Sequence, residues 1–325
     1  GNFANTTTKG RSWDFFVFDL KRIFVKCQYF LFRIYKERGM NTFWSKSVQS
    51  TELLDTSRKE KFNENNRKLW FNLLHIRNNL KILEVGCGSG HFTNMIKAYY
   101  PTCQVYGVDL DSNHIKFAKN ESKKLNLDVH YQVADVKDLP FEDNSFDIVF
   151  SHTLVEHLPF DDFIKEQKRV LKTGGKLVIM RIDMIKKNDK PFLYLEDEIN
   201  EIYNGFTYPK RPNVGEYLED SDTTMQKLNQ YNFKNIKLNY DRIIYYMPDA
   251  ESNKKVAIDQ IERNYQTKLS YAIFETDRCK VDAETKNKLL NLLKCQYEER
   301  LKLLNSNKKI FDFQSSLLIT ISASK

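Results

Sequence analysis

Between residues 81 and 181, short continuous apolar runs alternate with stretches whose apolar positions recur every three or four residues. The runs at 81–85, 104–108, 128–133, 146–151 and 176–181 predict strands, and the periodic stretches at 91–100, 112–126 and 160–172 predict helices. Strands separated by roughly 10 to 15 residues of helix form right-handed β-α-β units around a parallel sheet. The fold class is therefore α/β.

The flanks follow other rhythms. In 13–37, Trp13, Phe16, Leu20, Phe24, Cys27, Leu31 and Ile34 share one helical face, while Phe15, Phe18, Tyr29 and Phe32 intrude among the charges opposite. Such a helix packs between two surfaces or covers a site. Residues 56–78 predict a second helix with Phe62, Leu69, Trp70, Leu73 and Leu74 as its apolar stripe. The alternation fails over 182–222, resumes with a helix at 223–231 and a strand at 235–246, and gives way to a helical block at 250–306. Asp282 can cap a helix there, with Leu289, Leu293, Tyr297 and Leu301 in step. A last strand is expected at 311–323.

Composition narrows the classes. A chain of 325 residues that is 41% hydrophobic and 13% aromatic can bury a large core, so disorder is excluded. The net charge of +8 is local: residues 1–80 hold 15 basic and 7 acidic side chains, and the remainder carries 36 of each sign. Nucleic-acid contact is thereby confined to the N-terminal segment and is disfavoured for the body. Five cysteines without CxxC spacing read as reduced thiols of a cytoplasmic protein. The first dozen residues are polar, so no signal peptide is expected, and the charges within 13–35 leave no membrane-spanning stretch.

Ile82 to Gly90 reads ILEVGCGSG. Gly86, Gly88 and Gly90 let the backbone bend tightly against a ligand, and the helix that follows aims its amide dipoles at the same place. A dinucleotide site favours GxGxxG around a diphosphate. Here the spacing is GxGxG, and Glu84 stands two residues before the first glycine. A carboxylate repels a diphosphate and attracts an ammonium, so the pattern favours a ligand with a cationic amino-acid end. Asp109 closes the second strand and can accept hydrogen bonds from ribose hydroxyls, as it could in a dehydrogenase.

The E-x-G-x-G-x-G bend resembles motif I of class I S-adenosylmethionine-dependent methyltransferases. VADVKDLPFEDNSFDIVFS and RVLKTGGKLVI further resemble the methyltransferase type 11 group, which includes ubiquinone and menaquinone methyltransferase-like enzymes. The likeness covers 80–181 well, 235–246 and the last residues moderately, and the first 40 residues and 247–306 hardly at all.

The resemblance implies a Rossmann-like, doubly wound, mostly parallel seven-stranded sheet with an antiparallel last strand. A helical N-terminal extension or lid would span 1–55, the catalytic body 56–246 plus 307–325, and a helical insertion 247–306. It implies S-adenosylmethionine as cofactor and S-adenosylhomocysteine as product. Glu84 would bind the methionine ammonium directly or through water, Gly86 and Gly88 would admit it, Asp109 would hold ribose, Asp135 and Val136 would hold adenine, and Cys87, Gly90, Leu110 and Ser151 would complete the cofactor-binding set.

The reaction implied is an SN2 displacement on the sulfonium methyl group by a small-molecule or lipid-like acceptor. His152, just beyond the fourth strand, is the candidate acceptor contact, with Glu156 and His157 nearby. HTLVEH is not HExxH, so no metal is assigned. The sequence after the fourth strand lacks the Asp/Asn-Pro-Pro-aromatic pattern of base methyltransferases, which leaves an RNA methyltransferase as a weaker alternative beside a non-catalytic cofactor-binding partner subunit. Phe43, Trp44, Tyr203, Phe206, Tyr208, Tyr245 and Tyr246 are candidates to wall an acceptor pocket. The helix at 13–38 is a candidate for peripheral membrane contact or a homodimer contact.

Overall fold

The computed structural model describes residues 43–187, 194–209, 214–246, 248, 254–306 and 314–325. The expected helix at 13–37 lies outside the described residues. Seven strands run β1 (Lys81–Val85), β2 (Gln104–Asp109), β3 (Val129–Val133), β4 (Phe146–His152), β5 (Leu171–Lys187), β6 (Lys234–Tyr246) and β7 (Gln314–Ser324). They form one sheet in the order β3-β2-β1-β4-β5-β7-β6, and β7 runs antiparallel to both of its neighbours. The antiparallel last strand is thus as the sequence implies.

Helices cover both faces, which is why β1 and β4 are buried almost without interruption. One face packs against α6 (Phe160–Val170) and α8 (Ser221–Gln230), burying Phe163, Ile164, Leu228 and Phe233 with Leu83, Val149 and Leu177. The other packs against α3 (Arg67–Leu73) and α4 (His91–Tyr99), burying Trp70, Leu74, Phe92 and Ile96 with Ile82, Ile148 and Phe150. Chain order reverses between β1 and β4. In such a sheet the crevice for a ligand opens at the carboxyl ends of those two strands.

Where a single helix over 56–78 is expected, two form: α2 (Thr51–Lys61) and α3. The asparagines between them offer the backbone other partners. Asn63 Oδ1 accepts from the amides of Asn65 at 2.9 Å and Asn66 at 3.2 Å, and the Asn66 side chain donates to the Ile244 carbonyl at 2.9 Å. α2 begins at a Ser50 cap that accepts from the Leu53 amide at 3.2 Å, so this helix runs across residue 55. Ahead of it lies the short α1 (Phe43–Ser47).

The stretch 182–222 is also more regular than its pattern. β5 continues to Lys187, and α7 (Glu196–Asn204) forms with Glu196, Asp197 and Glu198 in its first turn, complementing the helix dipole. α7 buries Ile199 against Leu289 and Leu293 of the helical hairpin α9 (Lys254–Arg278) and α10 (Ala283–Asn305). Asp282 caps α10 by accepting from the Thr285 amide at 2.8 Å, as the sequence indicates. α9 lies along α2, where the Asn264 side chain donates to Glu60 at 3.1 Å.

Candidate active site

β1 delivers its last residues to a bend in which Gly86, Gly88 and Gly90 all hold positive φ, of 73°, 55° and 75°. The requirement is sharpest at Gly88, where a Cβ would lie 2.6 Å from Leu54 Cδ2 on α2. A side chain of α2 therefore rests directly on the bend. The bend is fixed from β2 as well: the amides of Gly86 and Cys87 donate to the Val108 carbonyl at 2.8 and 2.9 Å.

Asp109, at the tip of β2, accepts from the Gly88 amide at 2.8 Å and the Asp111 amide at 2.9 Å, and stands 3.7 Å from His114 Nδ1. Burial alone would raise its pKa. His114 and the two amides outweigh burial and hold it below the ordinary aspartate value, so it is a fixed anion. Leu110, beside it, is 45% exposed despite its apolar side chain. Asp135 and Val136 follow β3 closely, and the Ala134 amide donates to the Asp109 carbonyl at 3.0 Å, so the two acidic tips adjoin. Asp135 accepts from the Lys137 amide at 3.0 Å.

Glu84 is the most unusual group. It is 3% exposed, and its bonded partner is Thr93, whose hydroxyl donates to it. Burial raises its pKa to about 7, against the pull of Thr93 and of Arg58. No cationic side chain comes within ion-pair distance of it among the described residues. Cys87 is buried beside it, its thiol pushed well above its usual value by burial and by Asp109 and Glu84, so it is an inert wall. The Ser89 and Ser151 hydroxyls are buried with no hydrogen-bond partner among the described residues, and Ser151 pairs in register with Val85 beside the bend.

At the tip of β4, His152 is 2% exposed, wedged against Phe62 and Trp70 at ring separations of 5.0 and 5.8 Å. Arg58, from α2, donates to its Nδ1 and, at 3.0 Å, to Thr153 Oγ1. Burial first and Arg58 second hold His152 well below its usual pKa, so it is a neutral ring whose Nδ1 lone pair is occupied. Arg58 stands beside the ring that the sequence offers as the acceptor contact. Thr153 carries φ of 51°, a costly conformation for a β-branched residue, placed where the chain leaves the strand.

Glu156 Oε2 is buried with no hydrogen-bond partner among the described residues, and burial raises its pKa. His157 Nδ1 accepts from the Gly215 amide at 3.1 Å, its ring lies 4.7 Å from Trp44, and burial lowers its pKa to about 4.

The structure thus brings Glu84, the glycine bend, Asp109, Leu110, Asp135, Val136 and Ser151 to one sheet edge. It does not assemble the expected aromatic wall. Trp44 reaches His157 and Phe43 is exposed, but Tyr203 and Phe206 pack on the α7–α10 cluster with Tyr208 tilted against Phe206, Tyr246 packs on Ile261, and the side chain of Tyr245 lies outside those described.

Sequence reasoning missed the residues supplied from before β1: Ser45, Leu54 and Arg58. Ser45 donates its amide at 2.7 Å and its hydroxyl at 3.1 Å to Asp111, the cap of α5 (Ser112–Lys124). The Ser50 cap with Leu54 and Arg58 one turn apart was the available signal.

Residues 83–179 match the family described as methyltransferase domain. A demethylmenaquinone methyltransferase of Staphylococcus haemolyticus is 29% identical over 183 residues, covering 51% of this chain and 73% of that protein. Its counterpart in Staphylococcus aureus is 33% identical over 138 residues, covering 41% of this chain, and there the chain spans about half the relative's length, 54%. Among solved structures, phosphoethanolamine N-methyltransferase 2 of Haemonchus contortus, in complex with phosphomonomethylethanolamine and S-adenosylhomocysteine, shares the fold at TM-score 0.51. It is 19% identical and covers 87% of this chain and 59% of that one.

Proposed function

We propose that this chain, whose residues 83–179 are a class I S-adenosylmethionine-dependent methyltransferase domain of the type 11 group, passes the cofactor's methyl group to a small, lipid-like acceptor of the quinol kind. The observation that carries the reading is Glu84: a buried carboxylate beside a glycine bend, short of a cation, next to the fixed anion Asp109. An ammonium placed there would relieve the desolvation that raises Glu84. Asp109 has oxygen lone pairs left for ribose hydroxyls, Asp135 can accept from the adenine amino group, and Leu110 offers its apolar face to the ring. The acceptor class follows the demethylmenaquinone methyltransferases.

The cofactor, when bound, supplies the electrophilic methyl group, and the chain supplies alignment and exclusion of water. Attack on that carbon displaces the sulfide, and a protonated acceptor must give up a proton. His152 serves that step poorly, because its proton affinity is depressed and Arg58 occupies its Nδ1. Glu156, one turn further on, has a raised proton affinity and a partnerless oxygen, and is the better proton acceptor. His152 instead positions Arg58.

Methyl-labelled S-adenosylmethionine, supplied with a short-chain demethylmenaquinol or with phosphoethanolamine, tests the reading. Label in the quinol is the expected outcome. Tight cofactor binding with no acceptor-dependent S-adenosylhomocysteine would instead favour a non-catalytic subunit.

A further inference from the structure

We propose that the outer edge of β6 is a self-association surface, on which a second copy of this chain lays its own β6 antiparallel, about a two-fold axis through Asn239. The proposal stands apart from the methyltransferase reading, since β5 and β7 separate β6 from the strands that carry the candidate site.

β6 ends the sheet and pairs with β7 alone among the described residues. It is 13 residues long, where strands commonly run about 5 to 6. Its register against β7 shifts between Lys234 and Lys237 and again between Ile244 and Tyr246, so the run from Lys237 to Ile244 is regular. In a strand paired on one side only, alternate amides and carbonyls point outward and form a template for another strand. At one end the Ile244 carbonyl is already taken by the Asn66 side chain at 2.9 Å. Midway along, Tyr240 is 57% exposed.

Charge says what fits the template. Lys237, Asn239 and Asp241 share one face of β6. Opposite Lys237 and Asp241 on β7 stand Ser322 and Leu318, which are uncharged, and neither charge has an ion-pair partner among the described residues. Their counterparts are missing on the inner side, which leaves the outer side to supply them.

A second β6 supplies both. Centred on Asn239, antiparallel pairing sets Lys237 opposite Asp241 of the second copy and Asp241 opposite its Lys237, with Leu238 facing Tyr240 twice. Opposite charges and aliphatic–aromatic pairs placed this way stabilise a sheet, and like charges destabilise it. The neighbouring registers lack this match. Centring on Leu238 opposes Lys234 to Arg242, centring on Tyr240 leaves Asp241 facing Asn239, and centring on Lys237 or Asp241 sets that charge against itself. Edge lysines ordinarily repel strand pairing. Asp241 converts the repulsion into selection of one partner in one register. Because β6 runs parallel to β5, the two candidate sites fall at opposite edges of the joined sheet.

One strand pairing makes a small interface, so sedimentation equilibrium of the full chain from about 1 to about 200 μM is expected to show monomers passing to dimers. Hydrogen exchange at the amides of 236–242 is expected to slow over the same range. Lys237→Asp and Asp241→Lys each bring like charges face to face and weaken association about tenfold or more. The double variant exchanges the members of each pair and restores it. A mixture of the two single variants, one with acids at both positions and the other with lysines, forms mixed dimers.

A chain that stays monomeric throughout overturns the proposal. So do dimers that both single variants leave intact, and so does loss in the single variants with recovery in neither the double variant nor the mixture. Amides of 236–242 already protected in the dilute monomer show the edge covered within the chain, and overturn it too. Melting temperatures of the dilute variants check their folding. Should a single variant fail to fold, Asn239→Lys, which sets two lysines face to face on the axis, decides: undiminished association overturns the proposal and about tenfold loss supports it.

Discussion

Replacing Glu84 by Gln should move cofactor binding and fold stability in opposite directions. Glu84 titrates at about 7 in the ligand-free fold because burial penalises its charge. If the bound ammonium needs the carboxylate ionised, only that fraction of the protein is competent. The fraction is about one in eleven at pH 6, about half at pH 7 and about nine in ten at pH 8. Affinity for S-adenosylhomocysteine should therefore rise about tenfold between pH 6 and pH 8, or about 1.4 kcal/mol. It should level off above about pH 8, where the ligand's own amino group begins to lose its proton. Calorimetry in buffers of differing ionisation heat should also detect proton release on binding below pH 7. In Glu84→Gln the dependence over pH 6 to 8 should vanish and the affinity at pH 8 should fall by about 1 to 3 kcal/mol.

Stability has the other sign. A carboxyl whose folded pKa lies above its unfolded value stabilises the fold fully below about pH 4.5 and loses that contribution as pH rises through about 7. The loss amounts to about 3 kcal/mol, so ligand-free Glu84→Gln should melt higher than the unmodified chain at pH 8, with the Thr93 hydroxyl donating to the amide oxygen. An equally steep pH dependence of binding in the variant, or a lower melting temperature at pH 8, would refute the reasoning.

Asp109→Ala should weaken S-adenosylhomocysteine binding by about 1 to 3 kcal/mol, and unchanged calorimetric affinity would defeat the ribose assignment. Gly88→Ala meets both a positive φ, at about 1 to 2 kcal/mol, and the Leu54 methyl group 2.6 Å away. Chemical denaturation should show Leu54→Ala in the same chain relieving the second cost and not the first, and additive effects would deny the contact. Asp111→Ala removes the cap of α5 and the anchor of Ser45, so unfolding should shift by about 1 to 2 kcal/mol, with earlier protease cleavage around residues 43–50 as its companion. Glu156→Gln should lower the methyl-transfer rate and leave affinity for S-adenosylhomocysteine unchanged; a rate equal to that of the unmodified chain removes Glu156 as proton acceptor.

The β-α-β body was legible because its signals are local. Ile82, Leu83 and Val85 can only be a buried strand, and three glycines after them can only be a bend, which sets Glu84, Asp109 and Asp135 in or just beyond successive strands. What sequence could not show were contacts made across the chain. Arg58 and His152 are 94 residues apart, and nothing in RKEK distinguishes a guanidinium turned inward from one in water. The break at Asn63 to Asn66 was hidden for a similar reason, since the Ile244 carbonyl that rewards it lies on β6. The aromatic wall failed because Tyr203 and Phe206 follow the partner of α7, the hairpin, and sequence spacing carries no information on which surface an amphipathic turn will choose.

α2 is wedged between the glycine bend and α9, touching Gly88 through Leu54 and Asn264 through Glu60. If the cofactor lies on the bend as proposed, spent product and fresh cofactor exchange past a helix pinned on both sides. Opening that route means sliding the helix off a hairpin more than 200 residues away along the chain, a motion expected on the microsecond to millisecond scale. Turnover would then be limited by how often that hairpin lets go, and substitutions at Asn264, remote from any reacting atom, would change how long each product molecule lingers.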